Sequence, residues 1–218
     1  MSTTHVGDGR IEAIAFDWGG VFTEGTFDGR AVVALADRMG LAESTVSASY
    51  YPLMEEFEVG AFDLGAFAQR LQAELATDVD PAELQATFVN AARERPAMYD
   101  VLAGIPAAYT VGMLSNNVPT LCDRVRSDPR MARVEHFVFS NEIGVRKPDP
   151  AAFAALREAL AVAPEATLFI DDNALNIAAC RALGFKGLLL DSAEGFARTW
   201  RALLPELGDL VDGPDWER

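Results

Sequence analysis

The chain has 218 residues, half of them apolar, enough to bury a core as one large domain or as a medium core carrying a smaller insert. Its 33 acidic residues outweigh 18 basic ones, and the formal charge of −15 is spread along the sequence rather than massed in a tail. That balance opposes nonspecific binding to nucleic acid or anionic membranes, and no apolar run approaches the roughly 20 residues that span a bilayer. Met1 to Arg10 is polar and lacks the charged-then-apolar order of a signal peptide. The expected setting is therefore cytoplasmic, with no membrane and no nucleic-acid partner. Cys122 and Cys180 fall in helix-like stretches without metal-ligand spacing and read as free, buried or half-buried thiols.

The first predicted strand is Ala13–Phe16, within an apolar run that begins at Ile11; Asp17 follows it, and Trp18-Gly19-Gly20-Val21 breaks it. A buried parallel strand that ends in a carboxylate and a glycine loop puts that carboxylate at the edge where open α/β sheets take ligands. Asp17 is thus a candidate nucleophile, although alone it fits a turn or helix cap equally well. Trp18 either lines an entrance or packs in the loop.

From Phe22 to about Met98 no convincing strand appears. Helical spacing predicts helices over Ala31–Met39, Ser44–Glu56, Gly65–Ala76 and Pro81–Arg93, the last opened by Asp80 as N-cap and Pro81 at the first helical position. This is far longer than the ~12 residues of an ordinary crossover and reads as a helical insertion over the strand tips, placed to close the site. Phe22, Phe27, Tyr50, Tyr51 and Phe57 are expected mostly in the core.

Four more strands are predicted at Val111–Leu114, His136–Ser140, Leu168–Ile170 and Gly187–Leu190, with helical periodicity between them. Continuous apolar strands alternating with helices predict a parallel sheet covered on both faces. The second strand ends in Ser115-Asn116-Asn117, which offers a hydroxyl and backbone N–H groups to an oxyanion. After the third comes Arg146-Lys147-Pro148-Asp149-Pro150, whose prolines stiffen the chain beyond Lys147 and suit an ammonium held beside negative charge. Both are common loops in isolation.

The fourth strand ends in Asp171-Asp172-Asn173, adjacent carboxylates that repel one another unless a cation lies between them. With Asp17 they make an all-oxygen set of the kind that holds Mg²⁺ through one or two carboxylates, waters and a substrate phosphate. Asn176 reads as tying this loop down. His5 and His136 stand outside the pattern, and Asp209–Arg218 is expected to be a frayed tail.

Asp17, Ser115, Lys147 and Asp171-Asp172, in this order at successive strand ends, resemble the haloacid dehalogenase-like hydrolases over about Ile11 to Leu190. Phe57-Glu58-Val59-Gly60 followed by Phe67 resembles the helical cap of that family. Phe16–Val21 and Phe169–Ile177 are similar to the branch containing sugar-phosphate phosphatases and the phosphatase domain of soluble epoxide hydrolases.

The resemblance implies a doubly wound parallel sheet in a three-layer α/β/α Rossmann-like core, residues 1–21 and 99–218, with a helical cap over 22–98. It implies Mg²⁺-dependent hydrolysis of a small phosphorylated metabolite, such as a sugar phosphate, by a monomer or homodimer. Asp17 would attack phosphorus and also bind the metal, with the Gly19 carbonyl and Asp172 as further ligands. Asp171 would reach the metal through water or hold Lys147. Ser115, Asn116 and Lys147 would ground the transferring phosphoryl oxygens.

The resembling phosphatases usually carry aspartate two residues after the nucleophile, as proton donor to the leaving oxygen, where this chain has Gly19. Such a loss typically costs on the order of 10²–10⁴-fold in rate. Three accounts are open: Glu24, Glu55, Glu56 or Glu58 substitutes; the leaving group departs without a proton; or the protein is a weak enzyme or a noncatalytic binding protein. A metal-independent 2-haloacid dehalogenase, which also lacks that acid, is the rival enzyme, and Asp171-Asp172 argues against it.

Overall fold

A computed structural model describes residues 9–212 of the chain. His5 and the 213–218 part of the expected tail lie outside the described residues.

The elements run β1 (Ala13–Phe16), α1 (Phe27–Met39), α2 (Glu43–Phe57), α3 (Leu64–Leu75), α4 (Pro81–Val89), α5 (Pro96–Gly104), β2 (Thr110–Ser115) and α6 (Pro119–Ser127). They continue β3 (His136–Phe139), α7 (Ser140–Ile143), α8 (Pro150–Leu160), β4 (Thr167–Asp171), α9 (Ala174–Ala182), β5 (Lys186–Leu189) and α10 (Ala193–Leu203). The five strands form one parallel sheet in the order β3-β2-β1-β4-β5. All four residues of β1 are buried, as expected of a central strand covered on both faces.

Alternation along β1 divides the core. Ala13 and Ala15 face a cluster with Phe153 and Leu156 of α8 and Ile177 of α9. Ile14 and Phe16 face the opposite cluster, with Leu102 of α5, Val125 of α6 and Trp200 of α10. The result is the three-layer, doubly wound arrangement. The chain runs outward from β1 through β2 to β3, then returns to β4 on the other flank, so the order reverses beside β1. Ligand sites of open α/β sheets form at the strand ends of such a reversal.

Between β1 and β2, α1 packs on α2 and α4, and α3 on α2 and α4. Aromatic rings fill the space: Phe67 lies 5.1 Å from Phe57 and 5.3 Å from Phe88, centroid to centroid. Phe22, Phe27, Tyr50 and Phe57 are buried as expected, whereas Tyr51 is exposed. Asp80 caps α4 by accepting from Ala82 N, with Pro81 at the first helical position.

Two helix boundaries and the C-terminal segment differ most from the periodicity, the other elements by one or two residues at an end. The first helix begins at Phe27 because Thr26 Oγ1 accepts from Gly29 N and starts it a turn early. The fourth stops at Val89 instead of Arg93, because the chain beyond is drawn into an extended pairing. Glu24 N donates to Arg93 O and Arg95 N to Phe22 O, each at 2.8 Å, around an antiparallel bridge of Thr23 with Glu94. The expected fraying from Asp209 is also corrected for the described residues: Pro205–Val211 is a 3₁₀ turn with Leu207 and Val211 buried, and Trp200 Nε1 donates to Leu207 O at 2.9 Å. The two cysteines are free and buried.

Candidate active site

The C-terminal ends of β1 and β4 bring Asp17, Asp171 and Asp172 together, with a carboxylate oxygen of each within 4.8 Å of the others. Asp17 N still donates to Ile170 O at 2.8 Å, so the sheet fixes this backbone even past the strand. Asp17 Oδ1 accepts from Trp18 N at 2.7 Å and lies 2.9 Å from Lys147 Nζ.

Lys147 is almost fully buried, and its ammonium also lies 2.7 Å from Asp171 Oδ2. Asn116 fixes where this lysine stands: its Oδ1 accepts from Lys147 N at 2.8 Å and its Nδ2 donates to Lys147 O at 3.0 Å. Both ends of the amide expected against substrate are therefore engaged with the lysine's backbone.

Asp171 holds Lys147 in the described structure, through Oδ2 at 2.7 Å from Nζ. It is fully buried and also accepts from Asn173 N at 2.7 Å and from Asn176 Nδ2 at 3.0 and 3.2 Å. Asn176 thus ties the loop down.

Asp172 projects toward the glycine turn after β1. A Cβ at Gly20 would stand 1.9 Å from Asp172 Oδ2, and Gly20 holds φ at +74°, a left-handed conformation that suits glycine. The turn and the carboxylate fit only because that side chain is absent.

Three carboxylates share one ammonium, a formal charge of −3 + 1 = −2. Burial, with the neighbouring Asp171 and Asp172 and against Lys147, pushes Asp17 up to about 7. Burial and Asp171 push Asp172 up to about 6. Lys147 is moved upward despite its burial, because Asp17 and Asp171 favour its charged form. Carboxylates raised in this way by burial and by one another are short of positive charge, a deficit that a hard divalent cation meets in an all-oxygen set. The residues fit Mg²⁺, with Asp172 and the second oxygen of Asp17, Oδ2, standing outside the Lys147–Asn176 contacts, while Asp17 Oδ1 faces Lys147.

Asp17, Lys147 and Asp172 line a cavity of ≈ 380 Å³ together with Gly19, Asn116 and Asn117, and Asp171 is buried beneath them. Ser115 is buried at the tip of β2 and stands behind the cavity lining. The insertion contributes to the same lining Phe27 and Asp28 of α1, Met54 of α2, and Glu58 immediately after it.

Two pocket residues escaped the sequence reading. Asp28, on the first turn of α1, is half-buried and accepts from Tyr50 OH at 2.7 Å. No periodicity marks it; its role follows from the chain's return over Asp17. Arg146 lines the cavity beside Lys147, with Nε 2.9 Å from Glu58 Oε2 and Nη1 3.5 Å from Glu55 Oε1. Its adjacency to Lys147 was the available signal.

The candidate acids separate clearly. Glu24 is held by Arg93 at 2.9 Å and Arg30 at 3.5 Å, outside the cavity lining. Glu56 pairs with Arg70 on the surface, and Glu55 is largely exposed. Glu58 alone of the four reaches the lining. Burial and Asp28, against Arg146, push it up to about 8.

A strand-tip aspartate, a buried lysine and a second pair of carboxylates on a doubly wound sheet define a hydrolase of the α/β class. The haloacid dehalogenase-like hydrolase family model matches residues 11–184, and the chain belongs to that family. A D-ribitol-5-phosphate phosphatase of Bacteroides thetaiotaomicron is 27% identical over 187 residues, 81% of this chain and 90% of that protein. A haloacid dehalogenase family enzyme from the same organism superposes with a TM-score of 0.75 at 20% identity, covering 88% of this chain and 99% of that one. Its complex with magnesium and inorganic phosphate superposes at 0.69, covering 82% and 93%. An L-2-haloacid dehalogenase of Xanthobacter autotrophicus aligns at 0.66 with 20% identity, covering 93% and 98%. At these identities the structural likeness establishes the fold.

Proposed function

We propose that the protein is a Mg²⁺-dependent phosphatase of a small phosphomonoester, such as a sugar phosphate, working through an aspartyl-phosphate on Asp17. The observation that carries this reading is the cluster of Asp17, Asp171 and Asp172 around Lys147, with Asp17, Asp172 and Lys147 lining the cavity. A carboxylate-bearing 2-haloacid would meet repulsion there, whereas a metal–phosphate pair would complete the site. The phosphatase relative and the magnesium and phosphate complex of the structural neighbour support the same class.

Asp17, Asp172 and the Gly19 carbonyl would hold the ion. When bound, Mg²⁺ supplies positive charge that offsets phosphate–carboxylate repulsion. Asp17 attacks phosphorus with one carboxylate oxygen. Lys147, pinned by Asp171 and Asn116, keeps Asp17 in place and faces the phosphoryl oxygens. Ser115 and the backbone N–H of Asn116 are assigned to the remaining oxygens, an electrostatic task of several kcal/mol; the Asn117 N–H is engaged with Ser140 Oγ at 2.9 Å. Helices over 22–98 act as the cap, excluding water and contacting the leaving group.

A phosphate-ester panel with and without Mg²⁺ tests the reading. Turnover that needs the ion and disappears with chelator is expected. Chelator-resistant activity on 2-haloacids would overturn it in favour of the dehalogenase.

A further inference from the structure

We propose that Glu58 is the general acid and base of this site, supplied by the helical insertion to the leaving oxygen that Gly19 cannot protonate. The proposal rests on the phosphatase reading above. Its first support is position: Glu58, from the helical insertion, lines the same cavity as Asp17 and Gly19.

Its second support is the state of its carboxyl. The side chain is 5% exposed, and Oε2 lies 2.9 Å from Arg146 Nε, yet neither atom completes a hydrogen bond with a described residue. A buried carboxyl oxygen left open at a cavity wall can exchange a proton with a ligand there. Asp28, the other carboxylate that the insertion adds to the lining, is engaged by the Tyr50 hydroxyl. That hydrogen bond favours Asp28 as an acceptor, whereas Glu58, among the described residues, faces the Arg146 guanidinium as an ion pair and accepts from no hydroxyl.

The surroundings set the proton's occupancy. Asp28 and Asp17 favour the protonated form of Glu58, Arg146 and Lys147 the anion, and burial outweighs each of them. Burial, against the Arg146 ion pair, pushes its midpoint up to about 8, near the value best suited to give and recover a proton.

The backbone is fixed for this task. Glu58 N donates to Met54 O at 2.8 Å, its own carbonyl accepts from Ser140 Oγ of the sheet layer, and a Cβ at Gly60 would stand 2.8 Å from Asn141 O. The end of α2 is thereby seated against the core beside Arg146.

The steps balance. An Asp17 oxygen forms a bond to phosphorus as the ester P–O bond breaks; its electron pair passes to the leaving oxygen, which takes the Glu58 proton and departs as an alcohol. Water then attacks the aspartyl-phosphate at phosphorus, giving a proton to the Glu58 carboxylate as the P–O bond to Asp17 breaks. Phosphate leaves with Asp17 and protonated Glu58 restored.

The test is kcat/KM across monoesters, from nitrophenyl phosphate to phenyl and alkyl phosphates, for wild type and Glu58→Gln. For alkyl esters the variant should lose on the order of 10²–10⁴-fold, and for the nitrophenyl ester, which leaves without a proton, less than about tenfold. A loss equal for every ester, or none for alkyl esters, would overturn the role. Wild type gives an independent reading: alkyl kcat/KM should fall above about pH 8, with no such limb for the nitrophenyl ester, and identical profiles would contradict the proposal. If wild type hydrolyses no ester with Mg²⁺, the phosphatase reading itself fails, and this role with it.

Discussion

Lys147 Nζ and Asp171 Oδ2 lie 2.7 Å apart with both side chains essentially sealed from solvent, and this pair sets the position of the ammonium against Asp17. Removing one member of a buried, hydrogen-bonded pair typically costs 3–5 kcal/mol, because the other charge is left uncompensated. Lys147→Ala leaves three facing carboxylates, so it should lower the urea midpoint strongly and eliminate turnover. Denaturation with activity assays checks this; a variant of wild-type stability and rate would contradict the placement of Lys147.

Gly19 and Gly20 should respond oppositely to a methyl group. A Cβ at Gly19 meets only Phe27 Cβ at 3.7 Å, ordinary contact. At Gly20 it would strike Asp172 in a left-handed turn. Gly19→Ala is expected to keep its stability within about 1 kcal/mol. Gly20→Ala should be less stable by roughly 1–2 kcal/mol from the backbone alone and weak in Mg²⁺ binding. Thermal melts with added Mg²⁺ distinguish them; equal behaviour would refute the Gly20–Asp172 contact.

The ion-free protein should lose stability as pH rises. Asp17, Asp172 and Glu58 all have folded values raised, to about 7, 6 and 8, above ordinary carboxyl values. A raised carboxyl contributes stability that is complete below its unfolded value and disappears as pH climbs through the folded one. Chelated protein should therefore melt at higher temperature near pH 5.5 than near pH 8. Saturating Mg²⁺, which binds the ionised form, should raise the pH 8 melt most, with about 2.7 kcal/mol gained at a hundred times Kd. A chelated protein more stable at pH 8 would contradict these carboxyl environments.

Much of this site was legible because buried parallel strands read as unbroken apolar runs, and their ends mark one edge of the sheet. Ala13–Phe16 is the strand that the sequence predicts, and Asp17, Lys147, Asp171 and Asp172 meet where the order reverses. The rest of the lining was not legible as a unit. Glu58 stood among four candidate glutamates, and only the fold shows Glu24 and Glu56 engaged by arginines elsewhere. Asp28 and Arg146 acquire their places from packing between segments 118 residues apart (146 − 28). The Thr23–Glu94 pairing and the buried Leu207–Val211 turn likewise depend on tertiary contacts that overrode local helical and tail-like patterns.

The central claim is that Asp17 carries the phosphoryl group between substrate and water. Rapid quenching during turnover of a phosphate ester, followed by borohydride reduction, converts an acyl phosphate to an alcohol that peptide mass spectrometry locates. The account predicts homoserine at position 17 in wild type and none in Asp17→Asn, which should also lack turnover. Reduction at another carboxylate, or undiminished turnover by Asp17→Asn, would contradict it.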